Sequence, residues 1–258
     1  MPEFSFFMMG VLGSFLAGAM TGVGALPVFC VRGLSHKVQD MLLGFGAGVM
    51  LALTSFSLII PGYRAAFAAS GHTQAALIMT AGVLLGGVFL HLADKHFPHE
   101  HFFTLETEDQ RGLKRVSLFV VAMTLHNLPE GVAVGVGFAG GDFPNGLTLA
   151  LGTGLHNLAE GLVLAMILMA AGYPAWRAIG ISFLTGMAEP VGGILGAGAV
   201  TLARPLLPWG MAFAAGAMLF VTADELIPEA RRRGFEKEAT SAIMAGFVVM
   251  MFIEFILE

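Results

Sequence analysis

The sequence predicts an all-α, polytopic membrane protein with eight transmembrane helices. Three observations carry this. Of the 258 residues, 56% are hydrophobic and 12% charged, where a soluble domain is about one-quarter charged. The apolar residues fall in long runs rather than at amphipathic spacing, which makes lipid the solvent. Glycine occurs 35 times, as suits helices that approach closely through small residues.

Each crossing needs about 20 predominantly apolar residues. Eight segments meet this: roughly 5–31, 41–60, 75–93, 116–140, 146–171, 177–203, 209–228 and 239–257, which together make 1–258 one transmembrane domain. The first lacks a basic n-region and a small-residue cleavage site and is too long for a signal peptide, so it reads as a retained span. Turn residues or charges fill the breaks: Arg32 to Asp40, Pro61 to Gln74, Asp94 to Arg115, Gly140 to Asn145, Gly172 to Trp176, Arg204 to Pro208 and Arg231 to Glu238.

An even number of spans puts both termini on one side. The first, third, fifth and seventh connections hold Arg32, Lys37, Lys95, Arg111, Lys114, Arg115, Arg177, Arg231, Arg232, Arg233 and Lys237, all but two of the 13 basic residues. Only Arg64 and Arg204 lie in the others. By the positive-inside rule the termini face outside, periplasmic for a cell inner membrane, and the 94–115 loop faces the cytoplasm. Arg231 to Arg233 read as an interfacial anchor of this topology. The net charge of -5 comes without any basic tract interleaved with aromatics, which excludes nucleic acid as a partner. A single cysteine, Cys30, excludes an intrachain disulfide and reads as a small buried apolar residue.

A charge at the bilayer centre costs on the order of 3 kcal/mol even on the lenient insertion scale. Nevertheless the fourth segment contains Leu125-His126-Asn127-Leu128-Pro129-Glu130-Gly131, and the fifth Leu155-His156-Asn157-Leu158-Ala159-Glu160-Gly161. These are one heptapeptide repeated after 30 residues with one difference. His and Glu at i and i+4 share a helix face, one turn apart. Two helices presenting imidazole, amide and carboxylate to each other form a nitrogen and oxygen cage suited to zinc and similar first-row ions. Pro129 frees the carbonyl of Leu125 beside these groups, and in the sixth segment Pro190 frees that of Gly186 beside Glu189. In lipid such breaks survive only where they face protein or water.

The competing reading is that the polar groups pair with each other to hold helices together. It fails on charge. Three neighbouring carboxylates stay ionised only beside a compensating cation, and no Lys or Arg lies within the fourth and fifth segments. A metal ion meets that need. Protonation is the other escape, and it would make proton coupling available.

On these residues the chain resembles the ZIP family of divalent metal transporters, specifically its bacterial GufA-like branch. Gly46 to Leu51, Met187-Ala188-Glu189-Pro190 and Glu225-Leu226-Ile227-Pro228-Glu229 match in order and place, so the resemblance covers essentially the whole chain. It implies a 3+2+3 arrangement, with the fourth and fifth helices between two inverted three-helix units, and a two-metal centre midway across the membrane. His126, Glu130 and Glu160 would hold the primary ion, with Met50 as a soft ligand. Without the resemblance Met50 would read as core, one of 16 Met residues. Asn127, Asn157 and Glu189 would hold a second ion, bridged by Glu130 and Glu160. His156 is the departure, standing where that branch is expected to carry Gln. Its imidazole should favour zinc over magnesium or calcium, which prefer all-oxygen shells.

Two further groups are candidates for an ion path or exit. His91, Asp94, His96, His99 and His101 surround the start of the long loop, with Glu100, Glu106, Glu108 and Asp109 nearby, a tract able to hold metal weakly. Asp224 and Glu225 lie near the inner end of the seventh segment. The expected function is therefore transport of divalent metal ions into the cytoplasm: zinc first, with iron, cadmium, manganese and cobalt as further substrates. The metal is cargo and no catalytic cofactor is expected; the bilayer surrounds the chain, and a homodimer is left open. Two rivals remain. An intramembrane metallohydrolase lacks a His-Glu-x-x-His signature and a Ser or Cys nucleophile here. A proton or sodium carrier would leave two matched imidazoles surplus. The chain is accordingly expected not to be an enzyme.

Overall fold

In hydrocarbon a backbone must close its hydrogen bonds within its own segment, and the apolar runs do so as helices. The computed structural model describes residues 3–30, 34–96 and 110–257, and every regular element among them is helical. Helix α1 is Glu3–Ala25, extended by a 3₁₀ turn over Leu26–Phe29. Then come α2 (His36–Ser70), α3 (His72–His96), α4 (Gln110–Ala139), α5 (Phe143–Ala170), α6 (Ala175–Leu202), α7 (Arg204–Ala230) and α8 (Glu236–Leu257). Among the described residues, α1, α2, α3, α5, α6, α7 and α8 contain stretches long and apolar enough to cross a membrane by length and composition. The charged connection expected over 94–115 narrows, because α3 continues to His96 and α4 starts at Gln110.

Pro61 does not end the second helix as its chemistry predicted. The chain winds through a π-helical stretch, Leu53–Ile59, and continues as Ile60–Ser70 with Pro61 in its first turn, where the missing N–H is tolerated. Hydroxyls of Thr54 and Ser55 donate to the carbonyls of Met50 and Leu51 at 2.7 and 2.8 Å at the entry to that stretch. The reversal falls instead at Gly71, whose φ of 78° suits a residue without Cβ. Helix α6 does break, at Met187, one residue after Gly186 and just before Glu189-Pro190. Cys30 is exposed, not buried, because it lies beyond the last residue of the 3₁₀ turn, which it caps by donating its N–H to the Pro27 carbonyl.

The most extensive packing joins α4 to α6, α1 to α5, α2 to α8 and α3 to α7. Exchanging α1 with α6, α2 with α7, α3 with α8 and α4 with α5 leaves this pattern unchanged, as inverted three-helix units flanking α4 and α5 require. A local repeat accompanies it. Gly48-x-Met50-Leu51-x-x-Thr54 in α2 matches Gly216-x-Met218-Leu219-x-x-Thr222 in α7. Both threonine hydroxyls donate back to the methionine carbonyl at 2.7 Å, and both runs lead into a π-helical stretch and a proline. The helices thus form two groups, α1, α4, α5 and α6 against α2, α3, α7 and α8, which meet chiefly where α2 touches α5 and α4 touches α7.

Polar clamps hold the second group. Ser57 in the α2 π stretch donates to Glu254 of α8 at 2.6 Å. At the end of the bundle where α2 starts, Lys37 and Glu238 pair at 2.9 Å. There the Arg233 guanidinium donates to Gln39 Oε1 at 2.6 Å and lies 3.4 Å from the buried Asp40 carboxylate. The expected anchor thus folds inward at Arg233. Burial pulls this guanidinium down from its ordinary value, against the upward pull of Asp40 and Glu229. Arg233→Ala is expected to cost on the order of 3 kcal/mol, because it strips the partner from a buried charge. Thermal melting in detergent measures this. The cost should shrink in an Asp40→Asn background, since the stranded charge is then gone; equal losses in both backgrounds would refute the pairing.

Candidate metal centre

The heptapeptide repeat becomes geometry where α4 and α5 face each other. Glycine at its last position explains the approach of the neighbours. Gly131 lies against the backbone of Glu189 on α6, and Gly161 against that of Thr21 on α1. In both cases a Cβ would collide with a main-chain carbonyl, so only glycine lets these helices draw in. Gly46 of α2 does the same for a side chain: an added Cβ there would stand 2.5 Å from His156 Nδ1.

These approaches gather the polar side chains. One ligand atom each from His126, Glu130 and His156 lies within 4.8 Å of the others, and all three residues are buried. His156 Nε2 is 3.5 Å from Glu130 Oε1 and 3.4 Å from Glu160 Oε2, so one imidazole faces carboxylates from both helices. On the other side Asn157 Nδ2 donates to Glu189 Oε1 at 2.5 Å and to the Ala17 carbonyl of α1 at 2.8 Å. That carbonyl had no signal in the sequence, since any residue supplies one. Met50 is wholly buried on α2, one turn beyond Gly46.

The donor chemistry fits a divalent cation. Both ring nitrogens of His126 and His156, both amide atoms of Asn127, and the carboxylate oxygens of Glu130 and Glu160 are buried without a hydrogen-bond partner; so are Asn157 Oδ1 and Glu189 Oε2. Buried polar atoms are normally satisfied, and each lapse asks for an explanation. Here they converge, and a cation accepting several of these lone pairs removes the desolvation cost together with the carboxylate repulsion.

Of the path candidates among the described residues, Glu225 reaches the centre. It lies in the π stretch of α7 with its Oε2 3.4 Å from His126 Nδ1. The sequence placed it only near the inner end of its helix; the crossing of α7 over α4 brings it to the centre. Asp224 beside it is exposed. His91 is exposed on α3 with its ring edge-on to Phe220 at 5.9 Å, and His96 bonds the Leu92 carbonyl at 2.7 Å. The side chain of Asp94 and all of His99 and His101 lie outside the described residues.

Fold and site together define a class: a polytopic helical membrane protein built around a buried cluster of metal-ligand side chains. The family model "ZIP Zinc transporter" matches residues 99–254. Zinc transporter GufA of Myxococcus xanthus is 48% identical over 249 residues, covering 95% of this chain and 97% of that protein. Zinc transporter ZIPB of Bordetella bronchiseptica is 43% identical over 246 residues, 95% of this chain and 80% of that one. Human zinc transporter ZIP11 is 32% identical across 95% of this chain and 96% of its own length. The chain belongs to the ZIP zinc transporter family.

Proposed function

We propose that the protein carries zinc, and related divalent ions, across the bilayer into the cytoplasm through a two-metal centre on α4, α5 and α6. His126, Glu130 and Glu160 hold the primary ion, joined by His156 and the Met50 thioether. Asn127, Asn157 and Glu189 hold the second, with Glu130 and Glu160 bridging. The observation that carries this reading is the convergence of buried, unsatisfied nitrogen and oxygen donors from two copies of one heptapeptide. An arriving ion sheds water in exchange for imidazole and carboxylate, and the mixture of ligand types selects it against harder ions. Glu225 at 3.4 Å from His126 offers the next carboxylate as the ion leaves, with Asp224, His91, Asp94, His96, His99 and His101 further along the exit.

The purified protein sealed into liposomes with a zinc-sensitive dye inside should admit zinc, with no sodium flux in its absence. Folded protein that moves protons or sodium but no zinc would overturn the assignment. The direction rests on topology. In a Cys30→Ser background, single cysteines placed between 100 and 108 should react with an impermeant reagent only from the cytoplasmic side, and tags on both termini only from outside. The opposite labelling would reverse the orientation drawn from the basic residues.

A further inference from the structure

A cavity of about 430 Å³ opens between α3, α4, α6 and α7, on the seam of the two helix groups. Its volume is in the range of ligand pockets, roughly 300–1,000 Å³. Leu85, Phe89, Pro129, Leu195, Trp209 and Phe213 are among its walls. Every residue lining it is apolar, and the indole N–H of Trp209 is the one side-chain donor among them. Water therefore has nothing to bind there. The cavity is not sealed. Leu85 and Leu195 on its walls are each 57% exposed and Phe89 is 47% exposed, so it is continuous with the apolar belt that faces hydrocarbon.

Length identifies the occupant. On α4 the cavity runs from Leu128, beside the metal centre, to Val136, about 12 Å at 1.5 Å per residue. On α7 it ends at Leu206 and Trp209, in the first turns of that helix, where a tryptophan marks the membrane interface. It thus extends from the level of Glu130 to one surface, close to the ~15 Å of one leaflet of a ~30 Å hydrocarbon core. Leu206 belongs to the short 3₁₀ turn, Arg204–Leu206, that opens α7.

We propose that this groove is a binding site for one acyl chain of a membrane phospholipid, held with its headgroup at the Trp209 end and its tail against Pro129. The tail then touches the turn of α4 that carries Glu130 and lies in the seam between the two helix groups.

Native mass spectrometry of the detergent-purified chain is the test. Wild type should retain one phospholipid per chain through delipidating washes. Ala199→Phe, which puts a ring into the groove from α6, should lower retention about tenfold, equivalent to roughly 1.4 kcal/mol. Leu184→Phe, at a 66% exposed position outside the groove, should leave retention unchanged. Equal retention by wild type and Ala199→Phe overturns the proposal, and so does wild type without lipid. A lipid-free dimer that Ala199→Phe dissociates also overturns it and assigns the groove to a second copy. A second readout needs no filled groove. The chain has two tryptophans, so Trp176→Phe leaves Trp209 as the sole tryptophan, which can be excited selectively over the tyrosines. After loading with phospholipid brominated on its acyl chains, its fluorescence should stay quenched once surrounding lipid is washed away. Recovery in step with that washing refutes a held chain.

Discussion

Glu130→Ala and Glu160→Ala should each abolish zinc uptake by protein that still inserts and folds. The two carboxylates stand 3.5 and 3.4 Å from the same imidazole nitrogen, one from each helix. As the proposed bridges they serve both ions, so losing either dismantles both sites. Removing a group one shell beyond a metal typically costs ~10–100-fold in affinity or activity; the loss of a bridging ligand should exceed that. Stability supplies an independent reading. Metal at about 100 times its dissociation constant stabilises a folded protein by ~2.7 kcal/mol, so zinc should raise the melting temperature of wild type and do so less for either variant. Wild-type uptake in both variants would sink the assignment.

The second large effect is on selectivity and pH, through His156. Imidazole binds metal only in its neutral form, and free imidazole titrates near pH ~6.5. Protons compete with metal for His126 and His156, so apparent zinc affinity should fall as pH drops from about 7.5 to about 5.5, across that value. His156→Gln keeps a neutral donor of similar reach and removes one of the two competing imidazoles. The pH slope should flatten, and zinc should weaken relative to manganese, a harder ion with less to gain from nitrogen. Competitive uptake of the two metals at both pH values measures this. If the variant keeps both the preference and the slope of wild type, His156 is a packing residue seated against Gly46, and the primary site lies mostly on α4.

Much of this was readable before any coordinates. Long apolar runs dictate helices because lipid offers the backbone no other partner. The repeated His-Asn-x-x-Glu-Gly declares a shared helix face through spacing alone. Helix ends were less legible. Pro61 signals a stop, yet the wide π turn before it lets α2 run on to Ser70. Cys30, apolar by chemistry, is exposed because the chain leaves the helix there.

The residue types, their periodicity and their charge thus determined by themselves the fold class, the order of the helices and the two turns that carry the proposed ligands, because each depends only on neighbours in the chain. Tertiary structure alone decided which distant atoms meet those turns: Ala17 O on Asn157, Glu225 at His126, Gly46 under His156, Arg233 over Asp40. Such contacts depend on where helices cross, and crossing points are set by steric fit, by which residues lack a Cβ and which prolines widen a turn, summed over all eight helices at once.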